Sequence, residues 1–305
     1  MRSEKLASNL GENVMNRRRL LLPFAFALAI LAPVLAQDAL AAQAGTSKAV
    51  PPAPPAPAPC TAFYLGGQAP TGGPGGRIIC HSFYAISYST TLRDPVWTSY
   101  RLTRAMARGG DSIGRFSGSF RQDPALTAAE QGAHSDYMNP PFDRGHLTPA
   151  NDAIDMAHQS DTFVITNVVP QISQLNQRLW RFLESSVHQL AESEGEVYVV
   201  TGATYATPPP MMHKPGRPDR IAVPETTFKA IYVPSRGIAI AYIATNANPT
   251  VCTIMSIAEL ALRTGVNPFP SLPATATAAM PAFTLPAGQG TNPPDCRPAG
   301  EGEQG

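Results

Sequence analysis

The chain predicts one α+β domain, spanning about residues 60 to 298. Three observations lead there. Short runs rich in β-branched and aromatic residues alternate with turn signals. One long stretch carries a helical apolar stripe. The Pro- and Ala-rich composition is confined mostly to the two ends. A length of 305 residues holds ample material for a buried core, in one large domain or two small ones. The 43% hydrophobic content excludes a polytopic membrane protein, and the 32 prolines and 24 glycines follow no G-X-Y period, which excludes a collagen-like chain. With 23 Lys plus Arg against 22 Asp plus Glu, bulk charge cannot drive binding to a polyanion, so any nucleic-acid contact must be local.

The elements follow in order. Arg17-Arg18-Arg19 precedes an apolar run from Leu20 to Ala36, the pattern of a secretory signal, with cleavage expected near Ala36 or Ala41. Pro23 and Pro33 interrupt the run, which argues against a retained span; residues 1–41 are therefore read as a signal peptide and the mature chain as exported, periplasmic or secreted, with no stable membrane span. Their removal deletes five basic and three acidic residues and turns the net charge from +1 to −1. Residues 42–59 read as an extended Pro/Ala linker and residues 299–305 as a disordered tail.

Ile78 to Ser87 and Val96 to Leu102 form a predicted hairpin around Arg93-Asp94-Pro95. Residues 109–141, rich in Gly, Asp, Pro and Ser, read as a long surface loop of the functional kind. Phe163 to Val168 is a strand candidate. Ile172 to Glu192 is a helix, its apolar face carried by Leu175, Leu179, Phe182, Leu183, Val187 and Leu190. Strands are expected at Val197–Thr201, Thr227–Val233 and Ile238–Ala244, and a helix at Ser256–Thr264 stopped by Gly265. The four cysteines fit no CxxC pair; in an exported chain they suggest two disulfides among three connectivities, and their grouping favours Cys60–Cys80 and Cys252–Cys296.

The chemistry concentrates in two places. Asp143-Arg144-Gly145-His146-Leu147-Thr148-Pro149-Ala150 puts an acid, a cation and a histidine that titrates near neutrality on one strand-like stretch. Asn167-Val168-Val169-Pro170-Gln171 follows, and then Asn176, Trp180, Glu184 and His188 at i, i+4, i+8 and i+12 make a polar stripe beside the apolar one. An Asn carbonyl is a hard oxygen donor suited to Mg²⁺, and one protein ligand leaves room on the ion for waters and phosphate oxygens. A histidine base, one Asn-held cation and nearby arginines describe phosphodiester hydrolysis.

DRGH followed by NVVPQ and then N-x3-W-x3-E on a helix resembles the DNA/RNA non-specific endonuclease family of ββα-metal nucleases. Phe120-Arg121-Gln122-Asp123-Pro124, Asp136-Tyr137, Tyr198-Val199-Val200-Thr201-Gly202 and Ile221-Ala222-Val223-Pro224 are similar to it too, so the resemblance covers roughly residues 78–272. It implies a central antiparallel sheet flanked by helices in a single catalytic domain. It also implies a metal-dependent endonuclease acting on DNA and RNA, with Mg²⁺ as cofactor and Mn²⁺ as a substitute. By the same resemblance His146 corresponds to the general base, Asn176 to the direct metal ligand, Glu184 to the carboxylate holding the metal's water shell and Arg144 to an arginine near the phosphate; Asp143 is an orienter.

The chain departs from the pattern twice. The arginine expected before F-R-x-D-P has two candidates, Arg115 and Arg121, and His188 stands where an arginine would give a permanent charge, so its own charge is expected only at lower pH. Arg115, Arg121, Arg144 and His188 are the candidate substrate contacts. Blander readings stand beside the site roles: a buried histidine satisfied by the backbone, an Asn at a helix cap, a Glu on a solvated face; Trp180 is read as packing rather than base stacking. Arg217, Arg220 and Lys229 could line a nucleic-acid groove, but exposed cations commonly do nothing specific. The competing function is a catalytically silent nucleic-acid or partner-binding module on the same fold. A homodimer and an inhibitor protein stay open as partners.

Overall fold

A computed structural model describes residues 60–138, 141–213, 215, 216, 218, 220–288 and 296–300. The expected signal peptide, the linker and residues 301–305 of the tail lie outside the described residues, as does Arg217. The strands are β1 (Thr71–Gly72), β2 (Arg77–Cys80), β3 (Tyr84–Ser89), β4 (Asp94–Thr103), β5 (Phe142–His146), β6 (Val168–Ile172), β7 (Glu196–Thr204), β8 (Thr226–Val233), β9 (Ile238–Thr245), β10 (Cys252–Met255), β11 (Val266–Asn267) and β12 (Cys296–Pro298). The helices are α1 (Arg104–Ser112), α2 (Met156–Asp161), α3 (Arg181–Glu194), α4 (Ile257–Thr264) and α5 (Ala274–Ala278).

Eight strands form the central sheet in the order β12-β10-β9-β8-β7-β4-β3-β2. Every pairing is antiparallel except β10 with β12. The sheet is covered on both faces, which is why β3 is buried at every position and shows no polar alternation. One face packs Tyr84, Ile86, Tyr100, Val199 and Ile231 against Trp180, Leu183 and Val187 of the α3 side. The other packs Trp97, Val200, Phe228 and Ala230 against Ile257 and Leu260 of α4. Helix α4 is bounded as its sequence demands: Ser256 caps it by accepting from Glu259 N at 3.2 Å, and Gly265 closes it at φ 71°. Both expected disulfides are present, Cys60–Cys80 and Cys252–Cys296, the latter across neighbouring strands.

Three local expectations change. The hairpin turn falls at residues 90–93 rather than on Asp94 and Pro95, which already belong to β4; Arg93 makes the turn at φ 55°. Phe163–Val168 is not a strand. The Asn167 side chain accepts from Thr148 N at 3.0 Å and donates to the carbonyls of Thr148 and Thr162 at 2.9 and 3.0 Å, which locks a tight turn before β6 begins. The loop expected over residues 109–141 is observed from 113 to 133, which hold no helix or strand, but the described residues of the stretch are not loop throughout. They begin inside α1, where a Cβ on Gly110 would lie 1.9 Å from the Asn151 carbonyl oxygen, so only glycine lets the helix approach that segment.

The remainder of that stretch is anchored by buried polar groups. Gln131 and Asp123 exchange hydrogen bonds at 2.7 and 2.8 Å, and Thr166 donates to Asp123 at 2.7 Å. His81 sits between two carboxylates, with Nδ1 3.2 Å from Asp161 and Nε2 3.1 Å from Asp123, and stacks on Tyr84. Burial alone would push this imidazole down, but the carboxylates outweigh it and lift it to about 9. Burial would likewise raise both carboxyls, yet their bonds to His81 hold them below the ordinary value of 3.8.

These shifts set a pH window. The His81 contribution to stability is complete below its ordinary value of 6.5 and is lost as pH rises through about 9; the carboxylate contribution is lost as pH falls below 3.8. His81→Ala is expected to cost about 3–5 kcal/mol at pH 6, because two buried carboxylates lose their counter-charge. Urea denaturation of both proteins from pH 5 to 10 checks this: the gap should narrow towards pH 9–10, and a gap independent of pH would contradict it.

Candidate active site

The site is assembled from one two-stranded ribbon and one helix start. Strand β5 carries Asp143, Arg144, Gly145 and His146 and pairs antiparallel with β6. Glycine is required in this run because the Gln171 side chain lies across it: a Cβ on Gly145 would stand 2.1 Å from Gln171 Oε1. At its near end the ribbon is tied to the helix by Asp143. Its Oδ1 accepts from Ser173 Oγ at 3.1 Å, and its Oδ2 accepts from Asn176 Nδ2 at 3.0 Å and Gln177 Nε2 at 2.9 Å. At its far end the His146 carbonyl accepts from Trp180 Nε1 at 3.0 Å.

The helix itself begins with a π turn at Leu175–Trp180, in which Arg181 N donates to Asn176 O, and continues as α3. This wider winding shifts the helical phase. Trp180 consequently leaves the polar stripe and points into the core with no exposure, whereas Asn176, Glu184 and His188 line an open cavity of about 1060 Å³. Arg115, Arg144 and His146 line the same cavity; Arg121 does not. The Arg121 guanidinium donates to Ser160 O at 2.6 Å and lies 3.5 Å from Asp161, while its backbone bridges to Val164. Of the two arginine candidates, Arg115 is the one in the cleft.

His146 is only 9% exposed, flanked by the Phe120 and Phe163 rings at 5.1 and 5.2 Å. Each of those rings carries a guanidinium, Arg144 over Phe120 at 4.9 Å and Arg115 over Phe163 at 5.1 Å. Burial, then the charges of Arg115 and Arg144, push the His146 imidazole down to about 3, so it stands neutral at pH 7. Its Nε2 is buried and meets no hydrogen-bond partner among the described residues. A neutral imidazole with a vacant ring nitrogen is the form that accepts a proton.

The carboxylates are arranged differently. Asp152 is fully engaged: Oδ2 accepts from Tyr100 at 2.7 Å and Oδ1 faces His188 Nδ1 at 2.9 Å. His188 Nε2 lies 3.2 Å from Asp111. Burial alone would lower His188, but Asp152 and Asp111 outweigh it and lift it to about 9. The expectation that this histidine is charged only at lower pH is therefore overturned: two carboxylates keep it cationic at neutrality. Both its nitrogens face those carboxylates, so a phosphate would have to displace Asp111 to reach it. Glu184 is raised, first by burial, with Lys229 opposing, and its Oε1 is buried without a partner among the described residues.

The sequence reading missed Asp111, Asp152 and the two flanking phenylalanines as parts of the site, and it placed Lys229 wrongly. Lys229 is not a groove cation. It is fully buried, donates from Nζ to Thr201 Oγ1 at 2.8 Å, and lies 5.1 Å from the Trp180 ring. The signal was available: Lys229 interrupts an otherwise apolar run, Phe228 to Val233, in a strand covered on both faces. Arg220 lies 3.6 Å from Asp136 rather than in the cavity.

Comparisons with known proteins show the family and the fold. The sequence profile described as "DNA/RNA non-specific endonuclease" matches residues 67–275. Nuclease C1 of Cunninghamella echinulata var. echinulata is 31% identical over 169 residues, 52% of this chain and 66% of that protein. Mitochondrial endonuclease G of Homo sapiens is 32% identical over 165 residues, 50% of this chain and 54% of its own length. The match thus spans between half and two thirds of these relatives. The crystal structure of an EndoG/EndoGI complex superposes with a TM-score of 0.58 at 24% identity, covering 66% of this chain and 89% of that one, which shows the shared fold. On the extent of the profile match, this chain belongs to the DNA/RNA non-specific endonuclease family.

Proposed function

We propose that the protein is an exported, Mg²⁺-dependent endonuclease that hydrolyses phosphodiester bonds of DNA and RNA. The observation that carries this reading is the meeting, in one open cleft, of a neutral His146, the Asn176 side chain and two cavity arginines, Arg115 and Arg144. The donor set fits a hard cation. Asp143 can only accept, so Asn176 must turn Nδ2 towards it, and the atom left for a ligand is the carbonyl oxygen. The unpartnered Glu184 Oε1 suits a water on such an ion. No group of three or more His, Cys, Asp or Glu side chains placed to hold a metal occurs among the described residues, so an ion here keeps water and phosphate in most positions.

Asn176 and Glu184 would hold the cation, which when bound neutralises the scissile phosphate and the oxygen that leaves. His146 takes one proton of the attacking water, the new P–O bond displaces the 3′ oxygen, and that oxygen takes a proton from a neighbouring water, leaving 5′-phosphate and 3′-hydroxyl ends. Arg115 and Arg144 offset charge on the phosphate. The contacts go to phosphate and sugar, so little sequence preference is expected. The Arg-rich start and apolar run of the leader and the two disulfides support export; among the described residues no helix is long and apolar enough to cross a membrane. A homodimer or an inhibitor partner finds no specific support in the site.

Purified oxidised protein incubated with closed circular plasmid is expected to nick and then degrade it with Mg²⁺ and to leave it intact with EDTA. His146→Ala should lose about 10²–10⁴-fold of the rate; undiminished cutting by that variant sinks the base assignment, and tight binding without cutting under any divalent metal would favour the silent module. Asn176→Ala should raise the Mg²⁺ concentration needed, and an unchanged metal titration refutes its ligand role. Arg115→Ala should cut about 10²-fold more slowly with its Tm retained, whereas Arg121→Ala should lower Tm and spare the rate of the folded protein. The reverse pattern would exchange the roles of the two arginines.

A further inference from the structure

Strand β8 places a lysine where packing asks for an apolar side chain. Lys229, Ile231 and Val233 alternate onto the face that packs against α3, while Phe228 and Ala230 face α4. Lys229 is fully buried, and its Nζ bonds to Thr201 Oγ1, the residue directly opposite on β7. One hydroxyl and one ring face do not balance a buried ammonium; an opposite charge is needed.

Two carboxylates act on it electrostatically, Glu184 and Asp152. Asp152 is committed to Tyr100 and His188. Glu184, in the cavity wall, retains a buried oxygen without a partner and is the carboxyl group not committed elsewhere. The same Nζ stands 5.1 Å from the Trp180 ring, and Trp180 donates to the His146 carbonyl. Lys229 therefore stands behind the cleft, against the Trp180 ring that holds the strand wall; Glu184 is one helical turn beyond Trp180, and the Lys229 charge acts on it without an ion-pair contact.

We propose that Lys229 is a positioning residue of the active site, a buried cation that fixes Glu184 and the Trp180 ring and touches neither substrate nor metal. The inference rests on the nuclease reading for its catalytic consequence. A purely structural side chain here would be served as well by an apolar one of similar length, and that difference makes the idea testable.

The experiment compares wild type, Lys229→Met, Glu184→Gln and the double variant in the full oxidised chain, reading Tm, kcat and KM on plasmid, and Mn²⁺ affinity by titration of the metal alone. Lys229→Met is expected to lower Tm, because Glu184 and Asp152 lose a buried counter-charge, to lose about 10–100-fold in kcat with KM nearly unchanged, and to bind Mn²⁺ more weakly by a similar factor. In the Glu184→Gln background the same substitution should cost less than it does in wild type, only the part carried by the Trp180 ring remaining. Unchanged kcat and Mn²⁺ affinity, with or without a fall in Tm, overturns the proposal, and so does a full multiplicative loss on top of Glu184→Gln. Should Lys229→Met alone not fold, the double variant, which leaves neither of these two charges buried without the other, carries the comparison against Glu184→Gln. If wild type cuts nothing, the nuclease reading fails, and the Mn²⁺ titration still decides whether Lys229 positions Glu184.

Discussion

The hydrogen bond from the Trp180 indole to the His146 carbonyl, 3.0 Å long, ties the far end of one strand to the helix that follows its partner strand. The two strands are the β5–β6 ribbon, which pairs with itself and not with the central sheet. The helix begins as the π turn that opens into α3. Asp143 makes the complementary tie at the near end of the ribbon, gathering Ser173, Asn176 and Gln177. Between these two anchors the separation of His146 from Asn176 is set by fixed backbone rather than by flexible side chains, the condition for a preorganised site. Because Trp180 is wholly buried against the sheet, the anchor moves only if the core moves.

Around that frame the protein places charges behind the cleft in matched groups. His188 answers Asp152 and Asp111, Lys229 answers Glu184, and His81 answers Asp123 and Asp161 farther along. Each buried charge is costly alone, so each group is cooperative: removing one member strands the others. The sign of the arrangement also matters. Burial, and then the cations nearest it, Arg115 and Arg144, keep His146 neutral, while the carboxylates nearest His188 outweigh burial and keep it charged. Two histidines lining one cavity thus stand in opposite protonation states at the same pH, set by neighbours rather than by residue type.

Much of this was legible in the sequence. The DRGH run, the long helix with its apolar stripe, three of the later strands and the capped α4 follow from local pattern, and the two cysteine pairs from their grouping. What was not legible arises from contacts distant in sequence. The 109–141 stretch looked like loop because Gly, Asp and Ser dominate it, yet Asp123 is ordered through His81 and Thr166, more than forty positions away in either direction. Trp180 was legible as a packing residue, but the π turn that shifts the helical phase around it leaves no compositional mark. The choice between Arg115 and Arg121 needed three dimensions, since Arg121 is withdrawn by a carbonyl and Asp161. Lys229 was misread for a different reason: charge was taken as a sign of exposure, although its place in the buried β8 run said otherwise.

One buried indole N–H sets the placement of His146. Trp180→Phe removes that donor while keeping an aromatic ring in the core, so the most direct test is the single-turnover rate of plasmid cleavage by this variant at saturating Mg²⁺, with Tm measured alongside. The account predicts a folded protein whose rate falls at least tenfold while plasmid affinity is retained. A variant that folds and cuts at the wild-type rate would contradict it.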